Sequence, residues 1–228
     1  PPAAEALPRS HHFGANQMSF NYRNSYGSKA EQEFKRWVHM QPGWEIEQYG
    51  QGLMNKHSRQ MMRKTPFNGD SSVLEELIAS MAPQERSIYM NRIKTVPNLT
   101  RWMPDFVLAC KGQIVCAPDI KTSMSTTPNW AVEMSSIIGS KLHSKTGVQC
   151  VYAFPPTEFV DYWSCATPDQ LRSKACKILD GKAVQGGSGT PFYLIPKRVI
   201  DLPLKQVMTE IELNGSCEII SDYGKVTI

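Results

Sequence analysis

At 228 residues, with 41% hydrophobic and 20% charged positions, the chain can bury a sizeable core without disulfide or metal staples. No uninterrupted apolar run is long enough to cross a bilayer, and the N-terminus carries no secretory pattern. The formal net charge of +4 suits a nucleic-acid partner without requiring one. Six cysteines (Cys110, Cys116, Cys150, Cys165, Cys176, Cys217) contain no CxxC pair, which argues against structural zinc. Several lie inside apolar runs and read as buried thiols, the usage of a reducing, intracellular setting such as cytoplasm or nucleoid.

Residues 1–17 are Pro- and Ala-rich, without periodicity, and read as an arm outside the fold, with His11-His12 part of that arm. A single domain is expected over 18–228. A first helix is expected over about 28–40, where Ser28 and Glu31 form a capping-box pair and Ala30, Phe34, Trp37 and Val38 an apolar stripe. Glu31 and Glu33 fall on opposite edges of that stripe, so either can reach inward. Both also suit the positive end of the helix dipole. Gln41-Pro-Gly ends the helix, and the alternation from Trp44 to Tyr49 reads as a strand.

Residues at about 51–98 read as a helical insertion. Ser72 and Glu75 open one helix, to about Met81, and Pro83 begins another, to about Lys94. Lys56, Arg59, Arg63, Lys94 and Arg101 are candidate phosphate contacts here, although solvated helix faces give the same pattern.

Two apolar runs follow, at about 105–110 and 113–120, on either side of Lys111-Gly112. Paired as a hairpin, they bring Asp105 at the start of one strand near Asp119 at the end of the other. Lys121 shares the face of Asp119, because strand side chains alternate. Two carboxylates and an amine at one sheet end suit a divalent cation and the reaction it assists. Pro118 cannot donate to a ladder, so a bulge or bend is expected just before Asp119.

Beyond the hairpin, a helix is expected over about 129–144, with Trp130, Met134, Ile137, Ile138 and Leu142 on its apolar face. Lys141 and Lys145 near its end are further candidate phosphate contacts or partners of the helix dipole. His143 falls on its polar side and reads as solvated. Strands are expected from Val148 to Phe154, from Phe159 to Cys165 and over Phe192 to Pro196. A helix capped by Thr167-Pro168 should run to about Leu179. A flexible Gly186–Gly189 loop, a short helix from Leu204 and a closing hairpin with its turn at Asp222-Tyr-Gly complete the reading.

A helix bearing an edge glutamate, a strand, an insertion, a Pro104-Asp105 strand, a turn and an Asp119-Ile120-Lys121 strand, then helix and strand, resembles the PD-(D/E)xK nuclease superfamily. It is most similar to the small Holliday-junction resolvases and spans about residues 27–154. The resemblance implies an α/β fold with a central mixed β-sheet flanked by helices, a restriction-endonuclease-like core. It implies a divalent-metal-dependent endonuclease with DNA as the expected substrate and RNA as the alternative. Non-catalytic nucleic-acid binding or assembly is the other alternative. It assigns catalysis to Glu31, Asp105, Asp119 and Lys121, and binding of Mg²⁺ or Mn²⁺ to Glu31, Asp105, Asp119 and the Ile120 carbonyl. It favours Glu31 over Glu33, and its members usually work as dimers, so a homodimer is one expectation. Some viral cap-snatching endonucleases share the pattern but add a metal-binding histidine on an early helix. His39, the one candidate, lies too far along its helix. Asp119 stands where a glutamate is more frequent, and the last third of the chain is left without explanation.

Overall fold

The computed structural model describes residues 27–55, 57–58, 61, 72–92, 103–123, 127–179 and 191–228. The candidate phosphate contacts Lys56, Arg59, Arg63, Lys94 and Arg101 lie outside them, as do residues 1–17 and Gly186–Gly189. The fold is α/β, with a mixed six-stranded sheet flanked by helices. Helix α1 (27–39) begins at the first described residues and already contains Ser28. The expected Ser28–Glu31 cap is therefore not the one formed. Ala30, Phe34 and Val38 are buried, as the stripe requires.

Strand β1 (Trp44–Gln48) pairs antiparallel with β2 (Phe106–Cys110), and β2 with β3 (Gln113–Ile120) through the Lys111-Gly112 turn. Both turn residues have positive φ (52° and 78°), the two-residue geometry that matches strand twist. Between β1 and β2 lies the insertion, where α2 (Ser72–Ala79) and α3 (Pro83–Arg92) form near the expected boundaries. Gly50, with φ +62°, ends β1 where a Cβ would meet the Pro104 carbonyl oxygen at 2.8 Å. Only glycine permits that approach, which, with the Tyr49 N–H donating to the Asp105 carbonyl at 2.8 Å, pins the start of β2.

The irregularity in the hairpin is not where Pro118 suggested. The register shifts between Leu108 and Ala109, which pair with Cys116 and Ile114 and leave Val115 as the extra residue. Pro118 lies past the last β2–β3 pair, in parallel register with Val151 of β5 (Gln149–Phe154). The Lys121 N–H points to β5, donating to the Ala153 carbonyl at 2.9 Å. The Ile120 N–H points the other way, and alternation places the missing Pro118 N–H on that same side. β2 no longer pairs there, so the proline costs no ladder bond.

The expected helix at 129–144 is instead a strand and a helix. β4 (Asn129–Glu133) pairs antiparallel with β8 (Phe192–Pro196), and α4 starts only at Met134 and runs to Ser144. Trp130 and Val132 alternate into the core, and the available edge of β8 decides for strand over helix. The helix capped by Thr167 does form its capping box with Gln170, but α5 (Pro168–Ser173) has six residues. The segment expected at its end is instead β7 (Lys177–Leu179), on the other edge of β8. Strand β6 is confined to Ser164–Ala166 and pairs with β5 and with β9 (Leu202–Pro203). Helix α6 (Leu204–Asn214) and a hairpin of β10 (Glu218–Ser221) and β11 (Gly224–Thr227) close the chain.

The six strands run in the order β1-β2-β3-β5-β6-β9, and β4-β8-β7 form a second sheet. Alternate residues of β5 feed two cores. Val151 and Ala153 pack with α1 and α6, whereas Tyr152 and Phe154 pack with α4 and the second sheet. The central strands are thus buried on both faces and read as continuous apolar runs. Five of the six cysteines are buried thiols, and Cys176 is exposed. No helix among the described residues is long and apolar enough to cross a membrane.

Candidate active site

Asp105, Asp119, Lys121 and Glu31 gather where β2 and β3 part. The Asp105 carboxylate accepts the Ile120 N–H at 2.9 Å. A side chain here replaces the missing ladder partner, spanning the gap left by β2 and fixing Asp105 against Asp119. Lys121 and Asp119 share a strand face, and the Lys121 ammonium lies 2.8 Å from Asp119 Oδ2. The same oxygen accepts from Ser136 Oγ of α4 at 3.3 Å. Glu31 approaches from α1 and is half-buried, whereas Glu33 is exposed and pairs with Lys29 at 3.8 Å. Of the two, Glu31 is the one that feels the charge of Asp119.

Electrostatics show how closely these groups are coupled. Burial, followed by the charge of Asp119, pushes the Asp105 carboxyl well above the usual carboxylate range, against the pull of Lys121. Burial and Asp119 also push Glu31 up, against Lys35. Burial pulls the Lys121 ammonium down, but Asp119 and Asp105 outweigh it and hold the amine above its ordinary value. Lys121 is therefore a fixed positive charge at neutral pH. Asp119, Asp105 and Glu133 all act on it in that direction, so the ammonium sits among carboxylates in a partly desolvated place.

Beneath Asp119 lies a polar network that the sequence did not reveal. Tyr152, its register partner on β5, is fully buried, and its hydroxyl bonds Ser136 at 3.0 Å and Ser140 at 2.9 Å. The Lys121 ammonium sits 5.3 Å from the centre of the Tyr152 ring. Ser136 and Ser140, four residues apart on the buried side of α4, were the available signal. Hydroxyls on an apolar helix face need partners, and here the partner is Tyr152.

Among the described residues no ready-made group of three or more His, Cys, Asp or Glu side chains is set to hold a metal. A magnesium site built from one or two carboxylates, waters and a substrate phosphate needs no such group. The donor chemistry fits a hard divalent ion. Asp105 and Asp119 offer oxygen ligands, one oxygen of each is already oriented by the fold, and their repulsion is what a cation relieves.

The remaining candidates separate from this cluster. Lys141 is held by Asp169 at 2.6 and 2.8 Å, and Lys145 lies 3.9 Å from Glu76. Both sit at the C-terminal end of α4, toward the start of β5 and away from the cluster. His143 is buried rather than solvated, between the Tyr49 hydroxyl at 3.0 Å and the Cys150 thiol at 3.4 Å, and burial lowers its basicity. His39 is exposed. Comparison with protein-family models, curated proteins and solved structures finds no match to this chain.

Proposed function

We propose that this chain is a divalent-metal-dependent endonuclease that hydrolyses phosphodiester bonds in DNA. The observation that carries the reading is the junction of β2 and β3. Asp105 crosses to the Ile120 N–H, and Lys121 and Asp119 meet face to face beside Glu31. Asp105 and Asp119, with the Ile120 carbonyl and Glu31, would hold Mg²⁺ or Mn²⁺. When bound, the ion supplies positive charge at the phosphate and acidifies water.

The chain's own groups do the rest. Ser136 and Tyr152 fix Asp119, so its carboxylate enters the reaction already oriented. Lys121, kept protonated by its acidic neighbours, acts as a hydrogen-bond donor to the phosphate oxygens as their charge grows. Its cation–π seat on Tyr152 holds the ammonium near the strand end without withdrawing it from an incoming phosphate.

Asp119→Ala and Lys121→Ala are expected to lose at least about a hundredfold in cleavage rate while binding nucleic acid as the unaltered chain does. Gel-shift and cleavage assays on the same labelled strands measure both. Undiminished cleavage by either variant contradicts the assignment. A non-catalytic nucleic-acid-binding module is the second reading, favoured by the direct Lys121–Asp119 ion pair, which neutralises a prospective ligand. It requires binding with a steep salt dependence and no cleavage with any divalent ion.

A further inference from the structure

A cleft of about 460 Å³ is lined by residues that adjoin the acidic cluster in sequence, at the end of β3 and on α1. Thr122 and Ser123, which follow Lys121 directly, form one wall, and Ala30, next to Glu31, forms another. Pro155, immediately after β5, and Lys197, immediately after β8, complete it together with Trp130. The cleft therefore joins the ends of β3 and β5 to the second sheet, the part of the chain that the nuclease pattern leaves unexplained. Ligands of open α/β sheets characteristically lie outside such carboxyl ends of strands.

We propose that this cleft seats one unpaired nucleotide of the strand being cut, with its phosphate on Lys197. The inference rests on the nuclease reading of the adjoining cluster. Pockets of about 300–1,000 Å³ enclose a single drug-sized ligand, so this one has room for a nucleotide. Apolar surface from Ala30, Trp130 and Pro155 faces hydroxyls from Thr122, Ser123 and Thr157, a lining suited to a sugar and base. Lys197 is only 3% exposed, and its ammonium lies 5.2 Å from the centre of the Trp130 ring. Burial lowers its basicity, against the charge of exposed Glu158. A desolvated ammonium on an aromatic face gains more from a phosphate than a solvated one does. Glu158, also in the lining, opposes that phosphate, while Glu33 and Lys29 in the lining pair with each other at 3.8 Å, so Lys197 and Glu158 act with opposite sign on binding.

Fluorescence anisotropy of a short labelled single-stranded DNA, titrated with the whole chain in EDTA, tests this without interference from cleavage. Lys197→Gln is expected to weaken binding about tenfold, as loss of one charge-assisted contact does. It should also reduce the salt slope by about 0.7, one phosphate contact on a single strand. Lys197→Arg should retain most of the affinity, and Glu158→Gln, a change at an exposed position, should tighten binding. The Lys197 effect should be absent on a fully paired duplex of the same sequence. Wild-type affinity in both Lys197→Gln and Glu158→Gln, an equal effect on duplex, or no binding by the unaltered chain overturns the assignment. Cleavage of the same strand with Mn²⁺ by the unaltered chain and Asp119→Ala separates the two claims. Asp119-dependent cleavage with Lys197-independent binding sinks the cleft alone. Lys197-dependent binding without cleavage sinks the enzyme alone.

Discussion

Asp119 illustrates how much a single side chain depends on neighbours remote in sequence. Its Oδ2 takes the Lys121 ammonium and the Ser136 hydroxyl, and Ser136 is in turn held by Tyr152. Tyr152→Phe removes the hydroxyl that ties Ser136 and Ser140 together but keeps the ring beneath Lys121. It is expected to weaken the apparent Mn²⁺ affinity of cleavage by about 10- to 100-fold, the usual effect of losing support behind a metal ligand. A Mn²⁺ titration of the initial cleavage rate measures this, and an unshifted midpoint removes Tyr152 from the site. The acidic residues were legible in the sequence, because strand alternation and one hairpin suffice to bring Asp105, Asp119 and Lys121 together. Ser136 and Tyr152 were not, since their role depends on the parallel β3–β5 register, which no local pattern encodes. Pro118, expected to mark a bulge or bend, instead stays in register with Val151 and costs no ladder bond. Its missing N–H faces the side where β2 has already diverged, while the bulge arises at Val115.

At the scale of elements, the insertion is fastened to the body by a buried network. Arg172 of α5 donates to both oxygens of Glu85 on α3, at 3.0 and 3.1 Å, and Tyr193 of β8 also donates to Glu85. The Arg172 guanidinium stacks 4.2 Å from the Tyr223 ring. Arg172→Met leaves the Glu85 carboxylate buried without its cation and is expected to cost about 3–5 kcal/mol in urea unfolding. Adding Glu85→Gln should recover part of that loss. Burial pushes the Glu85 carboxyl up, but Arg172 and Tyr193 outweigh it and hold it below the ordinary 4.5. Its contribution is therefore fully present above that ordinary value and disappears as pH falls through the lower, folded one. Acid titration of unfolding in the unaltered chain and in the double variant should show this loss only in the former. The two outer strands of the second sheet were not legible in the sequence, for one reason. β4 and β7 are short, and both form on the edges of β8, so a partner about 60 residues away from the first decides what local spacing left ambiguous. Helix α4, by contrast, keeps its predicted buried residues Met134, Ile137, Ile138 and Leu142, because helical spacing over eleven residues is a strong signal.

For the whole molecule, the sheet is the organising fact. Both faces are covered, so the strand ends are the places where polar groups can gather without disturbing a core. The acidic cluster occupies the end of β3, and the Lys197 cleft extends it toward the second sheet. That second sheet was the part least legible in the sequence, yet it supplies the cation of the proposed nucleotide seat. The mild positive charge of the chain agrees with this division, since no broad basic surface is needed if a few buried cations meet the strand. Metal-dependent strand scission is measured by incubating the unaltered chain with labelled single strands, duplexes and branched junctions of DNA and of RNA. Each is assayed with Mg²⁺, with Mn²⁺ and with EDTA. Cleavage of at least one DNA structure with Mg²⁺ or Mn²⁺ and none in EDTA is expected; intact substrates throughout, or cleavage that persists in EDTA, rules out a metal-dependent nuclease.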